Sequence, residues 1–289
     1  MDYVGNLIRP PSEANSIILQ VTVGCSYNKC TFCAPYKGIS FHLKDSRTVD
    51  ADLQFAKIHC RHQHRLFLAD GDVLILSQKD LLHLLDRIRS ALPWVKRVSL
   101  YGNARAVRSK SIEQLAELKE LGLDRIYMGL ESGCDEVLKN VCKGETAASM
   151  TAASKKVNAA GLFLSITVLL GLGGRSLSNL HASETAKVLC AMAPRQIAAL
   201  TLMVLDNTPL GDACRAGDFV LPTPHEILQE LHLLVSGLHG LRCQFHANHA
   251  STYLPLSGRL PRDQAKLLDH IESALSGITP LVPDYRRAL

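Results

Sequence analysis

The chain has 289 residues, 47% of them apolar and 20% charged, with a formal net charge of +5. This is the composition of a folded globular protein long enough for one substantial α/β core, and it excludes a largely disordered chain. Lys and Arg are dispersed among the acids rather than gathered in a run, so the charge demands no anionic partner, although nucleic acid is not excluded.

Residues 1–16, MDYVGNLIRPPSEANS, carry an acid at position 2, two prolines and no apolar segment of signal-peptide type. Residues 1–15 read as an N-terminal tail. The longest apolar stretch, LFLSITVLLGLGG, is too short and too glycine-rich to cross a bilayer. The expectation is a cytoplasmic protein with no membrane partner. In a reducing compartment its nine cysteines are thiols, metal ligands or small buried hydrophobes rather than disulfides.

After Ser16 strands and helices alternate. SIILQVTV reads as a buried strand, followed by a cysteine-bearing loop and a helix over 49–63. RLFLAD is a second strand, and SQKDLLHLLDRIRSAL a helix with Leu81, Leu84, Leu85, Ile88 and Leu92 on one face. VKRVSLYG is a third strand; the helix after it, SKSIEQLAELKELG, stops at Gly122. DRIYMGLE is a fourth strand, with helical material over 135–160 interrupted near Gly144. LFLSITVLLG is a fifth, with a helix over 179–192, and QIAALTLMVL a sixth, followed by the helix PHEILQELHLLVSGLHG. LRCQFHA reads as a last short strand and 262–276 as a closing helix.

Six alternations with short connections predict parallel βα units, in a barrel or in an open doubly wound sheet. Either architecture sets functional groups at the C-terminal ends of the strands. The uncommon residues fall there: the cysteine loop after strand one, DGD after two, YGNAR after three, ESG after four, GLGG after five and DNTP after six. No linker divides the series. The expected organisation is a core over 16–210, with 211–289 as an extension that closes the same domain.

The loop VTVGCSYNKCTFCAPYKG places Cys25, Cys30 and Cys33 within nine residues, with no fourth ligand beside them. A structural zinc site wants four closed ligands, whereas three thiolates leave one position open to a small molecule. Together with Phe32 before the last cysteine, and its place after the first strand, the loop resembles that of the radical S-adenosylmethionine (radical SAM) enzymes. Its C-x4-C-x2-C spacing is one residue longer in the first interval than the commonest family form, C-x3-C-x2-C. YMGLESGCDEVLKNVCKG further resembles the branch that includes methylthiotransferase and Elongator-like proteins.

The resemblance implies an α/β partial (βα)6 TIM-like barrel of mostly parallel strands with a C-terminal helical extension. It implies a [4Fe-4S] cluster on Cys25, Cys30 and Cys33, its fourth iron chelated by S-adenosyl-L-methionine. It implies reductive cleavage of that cosubstrate to a 5′-deoxyadenosyl radical, which abstracts hydrogen from a small-molecule or unknown substrate. An external electron donor such as flavodoxin or ferredoxin is implied as a partner. By position, Gly71 and Asp72 match the family's GGE-like motif, which holds the methionine amino group; an acid opposite an ammonium suits that task. Asn103 and Arg105 suit the carboxylate or ribose, or equally an ordinary turn with a surface Arg. The resemblance implies Glu131 and Ser132 for the ribose and methionine and Gly171 for the adenine, although a glycine cluster before a helix also suits a phosphate cradle. Phe32 accompanies the cluster.

Other readings stand beside these. Asp70 and Asp72 also suit a plain turn around Gly71. Tyr101, His246, Asn248, His249 and Tyr253 suit the substrate side, the last four equally the closing of the barrel. His59, Cys60, His62 and His64 read as a solvated helix end, and Cys134 and Cys142 as packing residues. With no cobalamin-type extension or second cysteine cluster in view, the expectation is rearrangement, bond cleavage or group transfer rather than B12-dependent methylation or sulfur insertion. The alternatives to SAM chemistry are an iron–sulfur electron carrier or redox sensor, and a zinc-dependent barrel hydrolase.

Overall fold

The structure, a computed structural model, describes residues 1–288. In chain order the elements are β1 (Ile17–Gln20), β2 (Thr22–Val23), β3 (His42–Leu43), α1 (Ser46–His59), β4 (Arg65–Ala69), α2 (Gln78–Ala91), β5 (Arg97–Tyr101), α3 (Ala104–Arg108), α4 (Ile112–Glu120) and β6 (Leu123–Glu131). There follow α5 (Asp135–Asn140), α6 (Ala147–Ala159), β7 (Phe163–Leu170), α7 (Gly174–Met192), β8 (Gln196–Thr201), α8 (Pro209–Ala216), α9 (Pro224–Ser236), β9 (Cys243–Ala247), β10 (Leu256–Leu260) and α10 (Gln264–Leu275). The fold is α/β with mostly parallel strands, as the alternation predicts. Its contacts fall into two compact units: Met1–Asn28 with Pro35–Met128 and Lys155–Leu164, and Lys29–Ala34 with Gly129–Ser154 and Ser165–Leu289.

In the first unit β1, β4, β5 and β6 pair in parallel in that order. Leu19 lies opposite Leu68, Leu68 opposite Leu100, and Leu100 opposite Ile126, all of them buried. Because a strand turns successive side chains to opposite faces, a second set forms on the other side. There Ile18, Phe67, Ala69 and Tyr127 cluster with Tyr101. The rings of Phe67, Tyr101 and Tyr127 meet edge-on, their centroids 5.1 to 6.1 Å apart. Helix α2 buries Leu81, Leu84, Leu85 and Ile88, and the Ser77 side chain caps its first turn by accepting from the Asp80 N–H.

The first fifteen residues are more than a peripheral tail. Glu13 is fully buried, pairs with Arg97 at 3.0 Å and accepts from the Tyr127 hydroxyl at 2.6 Å. Burial, then the Glu13 charge, pushes the Tyr127 phenol up to about 12. The Val4 N–H donates to the Gln20 amide oxygen at 2.8 Å. No periodicity in MDYVGNLIRPPSEANS announces this, because the anchors are single polar contacts to distant strands.

In the second unit β7, β8 and β9 are parallel, and β10 returns antiparallel to β9. Strand β10 and helix α8 are additions to the sequence expectation. In LSGRL only the two terminal leucines are buried, too short an alternation to read as a strand. The C-terminal segment folds back here: the Val282 N–H donates to the Tyr253 carbonyl at 2.8 Å, and the Arg287 guanidinium lies 3.7 Å from the Tyr253 ring centroid. Among the described residues no helix is long and apolar enough to cross a membrane.

Candidate active site

At the C-terminal end of β4 in the first unit, the turn Asp70-Gly71-Asp72 is locked from several sides. Gly71 is required by contact: a Cβ there would stand 2.8 Å from the Tyr36 ring and 3.1 Å from the Gly24 carbonyl. Asp70 accepts from the Tyr36 hydroxyl. Burial pushes its carboxyl up to about 6 against the pull of Tyr36 and of the Gly24 backbone. Asp72 is fully buried. One oxygen accepts from Ser26 Oγ and from Asn103 Nδ2 at 2.6 Å; the other accepts from the Asn103 N–H at 3.3 Å. Burial again raises it to about 6, opposed first by Ser26 and also by the nearby Lys110 and Arg105 cations.

Asp72 thus joins the end of β4, the start of α3 and the residue after Cys25. Asn103 is the N-cap of α3, its side chain accepting from the Ala106 N–H at 2.8 Å. Arg105 is exposed and stands 5.5 Å from the Tyr27 ring centroid. The half-buried Tyr101 packs edge-on within the aromatic cluster.

The second unit contains Cys30, Phe32 and Cys33. Phe32 packs against a core of Cys134, Val137, Val141, Leu172, Leu202 and Leu210. The flanking backbone is held by the Thr31 N–H donating to the Val141 carbonyl at 3.0 Å, and by the Leu210 N–H donating to the Thr31 carbonyl at 3.1 Å. Glu131 ends β6 with φ +64°, a left-handed conformation that costs a non-glycine residue roughly 1–2 kcal/mol. Its carboxylate accepts from Lys143 Nζ at 3.0 Å. Burial pulls that ammonium down, but Glu131 and then the Cys30 and Cys33 thiols outweigh it, so Lys143 is held above the ordinary lysine range.

Ser132, the next residue, is fully buried. Its Oγ lies 2.7 Å from His181 Nδ1 and accepts from the Cys134 N–H at 3.0 Å. Gly171, after β7, has φ +84°, and its N–H donates to Glu230 Oε1 at 2.6 Å. A carboxylate fifty-nine positions along the chain therefore holds the glycine turn.

Of the C-terminal polar residues, His246 faces Ser257 across the β9–β10 ladder, Nδ1 to Oγ 3.1 Å, and Asn248 is exposed just beyond β9. His249 Nδ1 accepts from the Ser251 N–H at 3.1 Å. Burial lowers both histidines, which leaves their rings neutral at pH 7. Tyr253 is buried and donates to Asp284 at 2.9 Å, so it and Arg287 tie down the C-terminal segment.

Sequence reading did not single out Ser26, Lys143, His181 or Glu230. Ser26 and Lys143 stood within quoted motifs, next to Cys25 and twelve positions after Glu131. The others are brought in by tertiary contact.

Cys25, Cys30 and Cys33 are partly exposed, and none of the nine cysteines forms a disulfide. Among the described residues no three His, Cys, Asp or Glu side chains gather closely enough to hold a single metal ion. A four-iron cluster takes each thiolate on a different iron. The donors suit it: three soft thiols on one loop, two of them near a cation that favours an anionic ligand set.

Parallel βα units whose strand ends carry a cysteine loop, buried acids and a glycine turn define a class of cofactor-binding α/β enzymes. The family described as the Radical SAM superfamily matches residues 19–183. The chain belongs to that superfamily, whose members are enzymes that bind a [4Fe-4S] cluster and S-adenosylmethionine. Among solved structures, the coproporphyrinogen III oxidase HemN from Escherichia coli aligns with TM-score 0.57 and 17% identity, covering 76% of this chain and 52% of that one. The methyltransferase TsrM from Kitasatospora setae aligns with TM-score 0.55 and 17% identity, over 68% and 38% of the two chains. Elp3 from Methanocaldococcus infernus aligns with TM-score 0.53 and 15% identity, over 92% and 64%. The chain therefore spans between 38% and 64% of the length of these three proteins. Such likenesses show the fold, which is the radical SAM partial barrel. No curated protein matches the chain significantly.

Proposed function

We propose that this protein generates a 5′-deoxyadenosyl radical from S-adenosylmethionine and uses it to abstract hydrogen from a substrate. The observation that carries the reading is the loop of Cys25, Cys30 and Cys33 following the first strands, inside the matched residues 19–183. Cluster and cosubstrate, when bound, supply one-electron cleavage of the sulfonium carbon–sulfur bond. The chain's own residues bind and orient. Cys25, Cys30 and Cys33 hold three irons, and Phe32 shields the loop with apolar surface. Lys143 offsets negative charge beside Cys30 and Cys33. Glu131, fixed by Lys143 in its left-handed conformation, accepts the ribose hydroxyls, and Gly171 lets backbone approach the adenine.

In the first unit Asp72 orients the turn that faces the methionine amino group while holding Ser26, the residue after Cys25. Arg105 supplies the cation for the carboxylate. Ser132 supports Glu131 from behind, since its hydroxyl is engaged with His181. His246 and Asn248 are assigned to the substrate side, because β9 runs parallel to β8 and Asn248 follows its C-terminal end. The electron enters from an external donor such as flavodoxin or ferredoxin.

Anaerobic reconstitution followed by iron and sulfide analysis, and assay of 5′-deoxyadenosine after reduction, tests the reading. Four irons and four sulfides with release of 5′-deoxyadenosine support it, and alanine at any one of the three cysteines abolishes that release. A cluster without release indicates an electron carrier or redox sensor. One zinc and no sulfide indicates a hydrolase.

A further inference from the structure

We propose that Glu230 and His181 are positioning residues for the adenosine half of S-adenosylmethionine. The inference rests on the SAM-binding reading above and extends it to α9, a helix outside the matched residues 19–183.

Glu230 and His181 are both buried, with Glu230 showing 0% exposure and His181 1%. Glu230 Oε1 accepts from the Gly171 N–H at 2.6 Å, and Oε2 from the Ser178 hydroxyl at 2.5 Å. His181 Nε2 lies 3.4 Å from Oε1, and its Nδ1 lies 2.7 Å from Ser132 Oγ. The Ser132 hydroxyl then accepts from the Cys134 N–H at 3.0 Å. A continuous buried chain of polar contacts runs from the turn after β7, through α9 and α7, to the turn after β6. Within the second unit these are the two turns assigned to adenine and to ribose.

Neither Glu230 nor His181 is placed against the cosubstrate itself. Their effect is to fix the spacing of two left-handed turns, Gly171 at φ +84°, which glycine adopts freely, and Glu131 at φ +64°, which is costly for a non-glycine residue. A buried N–H or hydroxyl that loses its acceptor has no water to replace it, so the turn must move to regain a partner. Burial pushes Glu230 up to about 7 and His181 down to about 4, so the imidazole is neutral at pH 7, donating at one nitrogen and accepting at the other. With the acid near its midpoint, the neutral amide of glutamine can serve in its place.

The test uses the full chain, reconstituted anaerobically, with equilibrium binding of S-adenosylmethionine and of methionine read from perturbation of the cluster's spectroscopic signal. Glu230→Leu weakens S-adenosylmethionine binding about tenfold and leaves methionine binding within about twofold, because methionine lacks the adenosine that the two turns receive. Glu230→Gln restores the affinity to within about threefold of the parent. His181→Asn, a milder change, moves S-adenosylmethionine binding in the same selective way and carries the test if Glu230→Leu does not fold. Equal weakening of both probes, or of neither, overturns the positioning role. Failure of the unsubstituted protein to bind S-adenosylmethionine overturns the SAM reading itself, and with it this proposal.

Discussion

Asp72 in the first unit and Glu230 in the second are both fully buried carboxylates, and each accepts one serine hydroxyl and one backbone N–H at a strand-end turn. Their surroundings differ. Asp72 has Lys110 and Arg105 in electrostatic reach and is raised to about 6. Glu230 has only hydrogen-bond donors to oppose its burial and is raised to about 7. At neutral pH Asp72 is therefore mainly an anion, able to face a cation, while Glu230 titrates and acts through hydrogen bonds. Burial raises both carboxyls to a similar extent, and Asp72 stays the stronger acid because an aspartate starts lower and has cations in reach.

The largest effect expected from breaking this comparison is at Asp72. Replacing it with leucine leaves Ser26 Oγ, Asn103 Nδ2 and the Asn103 N–H without their acceptor, a loss of about 4 kcal/mol in urea-induced unfolding. Asp72→Asn keeps an acceptor and recovers about half of that. A cost below about 1 kcal/mol for leucine means that Asp72 is not the hub of the turn.

The pH dependence sharpens the contrast. Glu230 is raised from 4.5 to about 7, so its contribution to stability is full below pH 4.5 and is lost as pH rises through 7. His181 is lowered from 6.5 to about 4, so it acts oppositely: its contribution is present above pH 6.5 and is lost as pH falls through 4. In unfolding measurements between pH 4.5 and 8, Glu230→Gln should remove a decline of up to about 3 kcal/mol. If parent and variant show the same slope, Glu230 does not titrate in this range.

A smaller effect is expected at the Lys143–Glu131 pair, where both side chains are mostly buried. Lys143→Met leaves Glu131 in its left-handed conformation without its cation, at a cost of about 2 kcal/mol. A double-mutant cycle with Glu131→Gln should return a coupling of about 1 kcal/mol, and additivity of the two changes would show that the pair is incidental. The smallest effect belongs to Tyr253→Phe. Its hydroxyl donates to Asp284 while the ring keeps Arg287, so thermal unfolding should shift by no more than corresponds to about 1 kcal/mol.

The legible part of the site follows a pattern. Cys25, Cys30, Cys33, Asp72, Asn103, Glu131 and Gly171 all stand at or just past the end of a strand that hydrophobic alternation had already located. What escaped was each residue's partner. The resemblance implies Ser132 for the ribose and methionine, and the sequence does not show that His181 of α7 stands beside its hydroxyl. Tyr253 and His249 read equally as substrate-facing or as closing the barrel, and the sequence does not show that their polar atoms meet Asp284 and Ser251. The antiparallel strand β10 was missed because Ser257 and Arg259 are exposed and Gly258 breaks the apolar pattern.

By itself, the amino-acid sequence determined the alternation of strand and helix, the parallel α/β class and the thiol loop, because periodicity and spacing are properties of neighbours along the chain. Only the tertiary structure decided that Glu230 holds Gly171, that His181 holds Ser132, and that residues 1–16 anchor to the first strands. Those contacts join positions up to 115 apart in the chain, and what selects them is the need of each buried polar atom for a partner.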